Sequence, residues 1–297
     1  MNNGGKKGYF ELRKTMQKKS LQLLEHVKEI IESYSFALTL RQIYYQLVAK
    51  QIIPNQQKYY MKLSRLCVIG RDEGILPEDA FADRLRQVDK PDSWLDLSDF
   101  MNTVRQSYKK DKWQNQSSYI EIWTEKDALR SVLTEITYPY DVNLMVVRGQ
   151  VSRTAIYESY ERFADKVDEG KDCYLYYAGD FDPSGLSIYN SLTERIRNYG
   201  FAGEYITFER IALTPEQIED YDLPCDPGKQ TDPNYKSFVS EYGDNIVELD
   251  SLPPDVLRGI VKDCIRRHID HDFFIQVQET EFEEQARLQE FVVQLKI

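Results

Sequence analysis

The sequence predicts an α/β chain in which a helical N-terminal part precedes a mostly parallel sheet and a helical C-terminus. Apolar residues recur at helical spacing from Leu21, in three helical stretches that end near Arg71. From Tyr119 onward, apolar runs of strand length alternate with amphipathic stretches, the pattern of right-handed crossovers with helices on both sheet faces. Between the two lies Pro91 to Ser118, polar and charged, which reads as a linker. The 297 residues suffice for two ordinary domains with cores of their own. The expected boundaries are 1–90 for the first domain, 91–118 for the linker and 119–297 for the second.

In the first part, Leu23, Leu24, Val27, Ile30 and Ile31 define the buried stripe of one helix. Thr39 is the expected N-cap of a second helix running to about Gln51, and Pro54 and Asn55 end it. A third helix runs from about Gln56 to Arg71. Three short helices joined by tight turns are the skeleton of a winged helix-turn-helix, whose last helix is offered to DNA. Lys58, Lys62 and Arg65 share one face of that helix, with Arg71 near its end, and these are the expected DNA contacts. In the second part the strands are YIEIW, VNLMVV, CYLYYAGDFD and EYITFERIAL. LPCDPGKQTDPNYKSF reads as a long loop, and residues from about Pro254 to the end read as helices.

The net charge of −11 runs against a nucleic-acid protein, but its distribution reverses that impression. Residues 1–75 hold 13 Lys plus Arg against 6 Asp plus Glu, and residues 76–297 hold 25 against 43. A basic module joined to an acidic body suits a polyanion at one end and divalent cations at the other. Cys67, Cys173, Cys225 and Cys264 are scattered without CxxC spacing, which argues against disulfides and a thiolate zinc site and predicts buried thiols. His268 and His271 beside Asp272 read as a solvated helix end. No apolar run reaches the roughly 18 residues of a membrane span, and MNNGGKKGYF lacks the apolar core of a signal peptide. A soluble, cytoplasmic protein with no membrane partner is expected.

Reactive groups of open parallel sheets gather at the carboxyl ends of the strands. Glu125 follows the strand IEIW, and Asp180 and Asp182 follow YLYYAG, two apart so that both point the same way. Gly179 opens space for close approach of a phosphate or metal. Carboxylates gathered from two strands repel one another unless a cation lies between them, and all-oxygen ligation suits magnesium. Glu125, Asp180 and Asp182 are the expected Mg2+ ligands.

A glutamate after one strand and D-x-D after a later one resemble the Toprim domain. Within that superfamily, EKDA at 125–128 and DFDPSGLSIY at 180–189 resemble the A subunit of topoisomerase VI and its meiotic double-strand-break relatives. LRQIYY at 40–45 is similar to the motif in which that family carries its nucleophilic tyrosine, with Gln42 where an acidic residue is usual. NIVELDSLPPDVLRGIVKDCI is similar to compact single-chain relatives, the mini-A topoisomerases of bacterial and phage mobile elements.

The resemblance implies a magnesium-dependent, DNA-cleaving transesterase acting on double-stranded DNA. In it Tyr45 is the nucleophile, Arg41 stabilises charge on the phosphate, and Glu125 serves the metal and the catalysis. Lys126 is expected at the DNA. The resemblance also implies a homodimer, with one subunit's Tyr45 over the other's metal site; no P-loop or GHKL-type box is present, so strand passage needs a separate ATPase partner or does not occur. Helical phase puts Tyr44 in the core and Tyr45 on the flank beside Arg41. Two alternatives stay open: a Toprim hydrolytic nuclease of phage or plasmid defence, using water as nucleophile, and a non-catalytic DNA-binding protein.

Overall fold

A computed structural model describes residues 18–81, 91–228 and 230–294. Residues 82–90, the end of the expected first domain, lie outside the described residues, as do residues 1–17. The N-terminal helices are α1 (Lys18–Glu32), α2 (Leu40–Ala49) and α3 (Gln57–Asp72). All five apolar residues expected along α1 are buried, and they meet Ile43, Leu47, Leu63 and Leu66 in one cluster. Thr39 caps α2 reciprocally with Gln42: the Gln42 N–H donates to Thr39 Oγ1 at 3.1 Å, and the Thr39 N–H donates to Gln42 Oε1 at 2.9 Å. Gln42 therefore holds the N3 position of a capping box without burying a charge. Among the described residues this unit forms no hairpin; its one extended pairing is a parallel bridge between Leu38 and Phe81.

The segment expected as a linker contains a helix, α4 (Leu97–Ser107), capped by Asp96 and resting on the last helix, α11 (His271–Gln294). Beyond α4 the chain anchors through Trp113, which is buried and donates its indole N–H to the Tyr140 carbonyl at 2.7 Å.

The sheet has four parallel strands, β1 (Ser118–Thr124), β2 (Asn143–Val146), β3 (Asp172–Ala178) and β4 (Ile206–Ala212), in the order β2-β1-β3-β4. Period-two alternation sorts its two faces. Ile120, Ile122, Tyr176 and Ala178 face the core formed with α5 (Arg130–Thr137), α10 (Pro254–Arg266) and α11. Trp123, Leu175 and Tyr177 face the core formed with α6 (Arg153–Asp168) and α7 (Pro183–Arg197). Two short helices follow β4: α8 (Pro215–Asp220), and α9 (Tyr235–Tyr242) at the end of the expected loop. Cys67, Cys173 and Cys264 are buried as expected, whereas Cys225 is exposed. His268 lies against Tyr174, ring centroids 4.1 Å apart, with Nε2 2.6 Å from the Tyr176 hydroxyl, so it belongs to the packing.

Candidate functional site

Register brings the first carboxylates together. Thr124 at the end of β1 pairs with Ala178 at the end of β3, so Glu125 and Asp180 emerge side by side at the carboxyl edge of the sheet. Glu125 Oε1 accepts the Asp180 N–H at 3.1 Å, and Oε2 accepts the Tyr177 hydroxyl at 3.2 Å. Burial, then the negative charge of Asp180, push the Glu125 carboxyl up to about 8. Asp182 is turned to the start of α7, where Oδ1 accepts the Gly185 N–H at 2.6 Å; burial raises its pKa as well.

Two neighbours fix this loop. A Cβ on Gly185 would run into the Asp180 carbonyl, so only glycine lets α7 start this close. Arg210 donates through Nη2 to the Gly179 carbonyl at 2.9 Å and to the Asp180 carbonyl, and through Nε to the Leu213 carbonyl at 3.0 Å. Sequence reasoning passes over Arg210, because a lone arginine in a strand has no local signal. Gly179 has a different use from the one expected: the Tyr177 ring lies where its side chain would be, 2.6 Å from a Cβ position. The missing side chain accommodates the tyrosine rather than a ligand.

Two further carboxylates join the site, Glu248 and Asp250, from the turn leading into α10. Neither was expected there from the sequence, although the acidic residues of VELDSLPP, just ahead of a helix start, are the signal. The Leu249 N–H donates to Asp180 Oδ1 at 2.7 Å, locking the turn onto the β3 loop. In the middle lies Lys126. Its Nζ is 2.7 Å from Glu248 Oε2, 2.9 Å from Asp180 Oδ2 and 3.3 Å from Asp250 Oδ2. Expected at a DNA phosphate, Lys126 is instead turned inward, with its side chain 14% exposed. Burial opposes its charge, but the three carboxylates outweigh that effect and raise its pKa.

The tyrosine helix reaches the same cluster within one chain. Arg41 Nη1 is 3.1 Å from Glu248 Oε2, the oxygen that also accepts Lys126. Burial works against the Arg41 charge, and Glu248 and Asp250 more than restore it, raising its pKa. Tyr44 is core, as expected, with its hydroxyl donating to Asn55 Oδ1 at 3.0 Å. Tyr45 differs from the flank position read from helical phase: it is 4% exposed, because the turn carrying Leu249 to Ser251 covers that side of α2. Its phenol pKa is raised, first by burial and then by Glu248, with Arg41 pulling the other way.

On α3, Lys58, Lys62 and Arg65 are exposed, Lys58 over the Tyr59 ring at 5.1 Å, whereas Arg71 is engaged by Glu78 at 3.5 Å and lies over the Phe81 ring at 4.8 Å. The acidic cluster fits a hard divalent cation by donor type, all carboxylate oxygen. It also fits by charge. Among the described residues, Glu125, Asp180, Asp182, Glu248 and Asp250 face Lys126, Arg41 and Arg210, so the carboxylates outnumber the cations, by two once Glu125 is ionised. As the side chains stand, no three His, Cys, Asp or Glu among the described residues converge into a ready cage, because Lys126 takes the centre and Asp182 is turned to a helix end. No protein-family model and no curated protein sequence matches this chain.

Proposed function

We propose that this chain cleaves DNA by a magnesium-dependent transesterification of the topoisomerase VI A-subunit type, with α1–α3 as a winged-helix unit and the parallel sheet as a Toprim domain. The observation that carries the reading is the continuity of the site: Arg41, one turn before Tyr45 on α2, is joined through Glu248 and Lys126 to the carboxylates at the ends of β1 and β3. Tyr45 Oη forms the new bond to phosphorus as the bond to a deoxyribose oxygen breaks. The phenol loses its proton, and the leaving alkoxide takes one up. Arg41 stabilises charge on the non-bridging oxygens. Glu125, Asp180 and Asp182 are the residues that would hold magnesium, which would supply Lewis acidity to the phosphate. The exposed Lys58, Lys62 and Arg65 bind the duplex backbone.

Within one chain, the Arg41–Glu248 pair joins the tyrosine helix to the carboxylate cluster. One observation favours a second reading, in which water is the nucleophile and the chain is a hydrolytic nuclease: Tyr45 is covered, and its raised pKa opposes the phenolate. Incubation with supercoiled plasmid and Mg2+, then digestion and a search for tyrosine-linked nucleotide, separates the two. Transesterification expects an adduct that Tyr45→Phe and Glu125→Gln both abolish. Undiminished cleavage by Tyr45→Phe selects hydrolysis, and a wild-type protein that never cuts DNA with Mg2+ or Mn2+ sinks both.

A further inference from the structure

Asp250 is the one carboxylate of the cluster that the fold hides completely. It is 1% exposed, and neither of its oxygens has a hydrogen-bond partner. A buried, unsatisfied carboxylate is strongly disfavoured unless a cation compensates it. The cation against it, Lys126, is 3.3 Å from Oδ2, farther than from either of its other two carboxylates. Nothing in the turn frees Asp250 from this position. Leu249 is fixed to Asp180, and the Ser251 hydroxyl donates to the Glu248 carbonyl at 2.6 Å, so the side chain is held at the cluster by both neighbours.

The oxygens around Lys126 are hard donors on three different side chains, two of them from a single turn. An ammonium satisfies such a set at 2.7 to 3.3 Å. A magnesium or manganese ion would draw it in to roughly 2.1 Å and add one unit of positive charge to a cluster in which carboxylates outnumber cations. Lysine is a point charge on a flexible stem and can withdraw where a rigid guanidinium could not.

We infer that Asp180, Glu248 and Asp250 form a second divalent-cation site, sharing Asp180 with the Glu125 side of the cluster, and that Lys126 fills it as a resident, displaceable cation. The inference rests on reading the cluster as a cation site and is independent of which nucleophile is used. A Lys126 side chain released by the metal is free to reach a phosphate, the position expected for it from the sequence.

The test counts bound Mn2+ on the full chain at pH 8 by electron paramagnetic resonance of the free ion, with thermal melts confirming that each variant is folded. Wild type is expected to bind two ions. Asp250→Asn loses the weaker one and keeps the other, Glu125→Gln loses the other, and Lys126→Gln tightens the weaker one by tenfold or more because its competitor is gone. One ion in wild type, lost in Glu125→Gln and indifferent to Asp250→Asn and Lys126→Gln, overturns the second site and leaves the proposed magnesium site standing. No ion in any of the proteins overturns both. Two ions with the weaker one unchanged or weakened in Lys126→Gln overturns the displacement, and if Asp250→Asn fails to fold, the Lys126→Gln titration decides alone.

Discussion

Replacing Glu125 by glutamine should stabilise the metal-free protein at alkaline pH and leave it unchanged in acid. The folded chain raises this carboxyl from 4.5 to about 8, a gap of about 3.5 units, and so holds the proton more tightly than the unfolded chain does. The sign follows. The contribution is fully present below about pH 4.5 and is lost as pH rises through about 8. At about 1.4 kcal/mol per unit the gap sets a ceiling near 5 kcal/mol, and relaxation and water entry around a buried charge bring a realistic figure to about 2–3 kcal/mol. Glutamine keeps the contacts: its oxygen accepts the Asp180 N–H, and its amide donates to the Tyr177 hydroxyl. In EDTA at pH 9 the variant should melt about 4–8 °C above wild type, and at pH 4 the two should coincide. Millimolar Mg2+ should reverse the order at pH 9, because only wild type retains the full ligand set. A melting difference that is equal at pH 4 and pH 9, or wild type the more stable at pH 9 in EDTA, refutes the charge-repulsion account of this site.

Replacing Lys58, Lys62 and Arg65 together by alanine should weaken double-stranded DNA binding equally across sequences and reduce the slope of log affinity against log salt by about 3. Fluorescence anisotropy at several salt concentrations measures it, and an unchanged slope rules this face out. Gly185→Ala drives a methyl group into the Asp180 carbonyl and should lower stability by about 1–3 kcal/mol while weakening Mn2+ binding. Gly259→Ala in α10, where nothing lies within 4 Å of the new atom, is the control and should stabilise by about 0.5–1 kcal/mol in urea melts. Arg162→Ala strips the bidentate partner from Glu121, which is 1% exposed in β1, leaving it only Tyr119 and Trp123. Partial exposure of the arginine limits the expected loss to about 1–3 kcal/mol. Urea midpoints unchanged within error would show that the pair contributes nothing.

The sheet is legible in the sequence because each strand carries its own period: Ile120 and Ile122 to one side, Trp123 to the other, and the same alternation along β3. Glu125, Asp180 and Asp182 are legible because strand ends can be read locally. What cannot be read locally depends on contacts between distant residues. Helix α4 has no fully buried residue, and its amphipathic side is held by α11, which begins 174 residues after it (97 to 271), so its composition resembles a linker. Lys126 reads as a surface cation because its partner Glu248 comes 122 residues further on. Tyr45 sits at the edge of the apolar arc of α2, and only the turn at Leu249 to Ser251 decides that this edge is covered. Helical phase gives direction but not neighbours.

Glu248 Oε2 is shared between Arg41 at 3.1 Å and Lys126 at 2.7 Å, and this has a thermodynamic corollary. A polyanion that draws Arg41 away leaves the whole of that oxygen to whatever cation stands beside Asp180, strengthening its hold. By reciprocity, a cation that claims the oxygen more firmly loosens Arg41 for the polyanion by the same factor. On the proposed function, this one carboxylate oxygen would couple the helical surface and the sheet edge positively, so that DNA and metal would each raise the other's affinity.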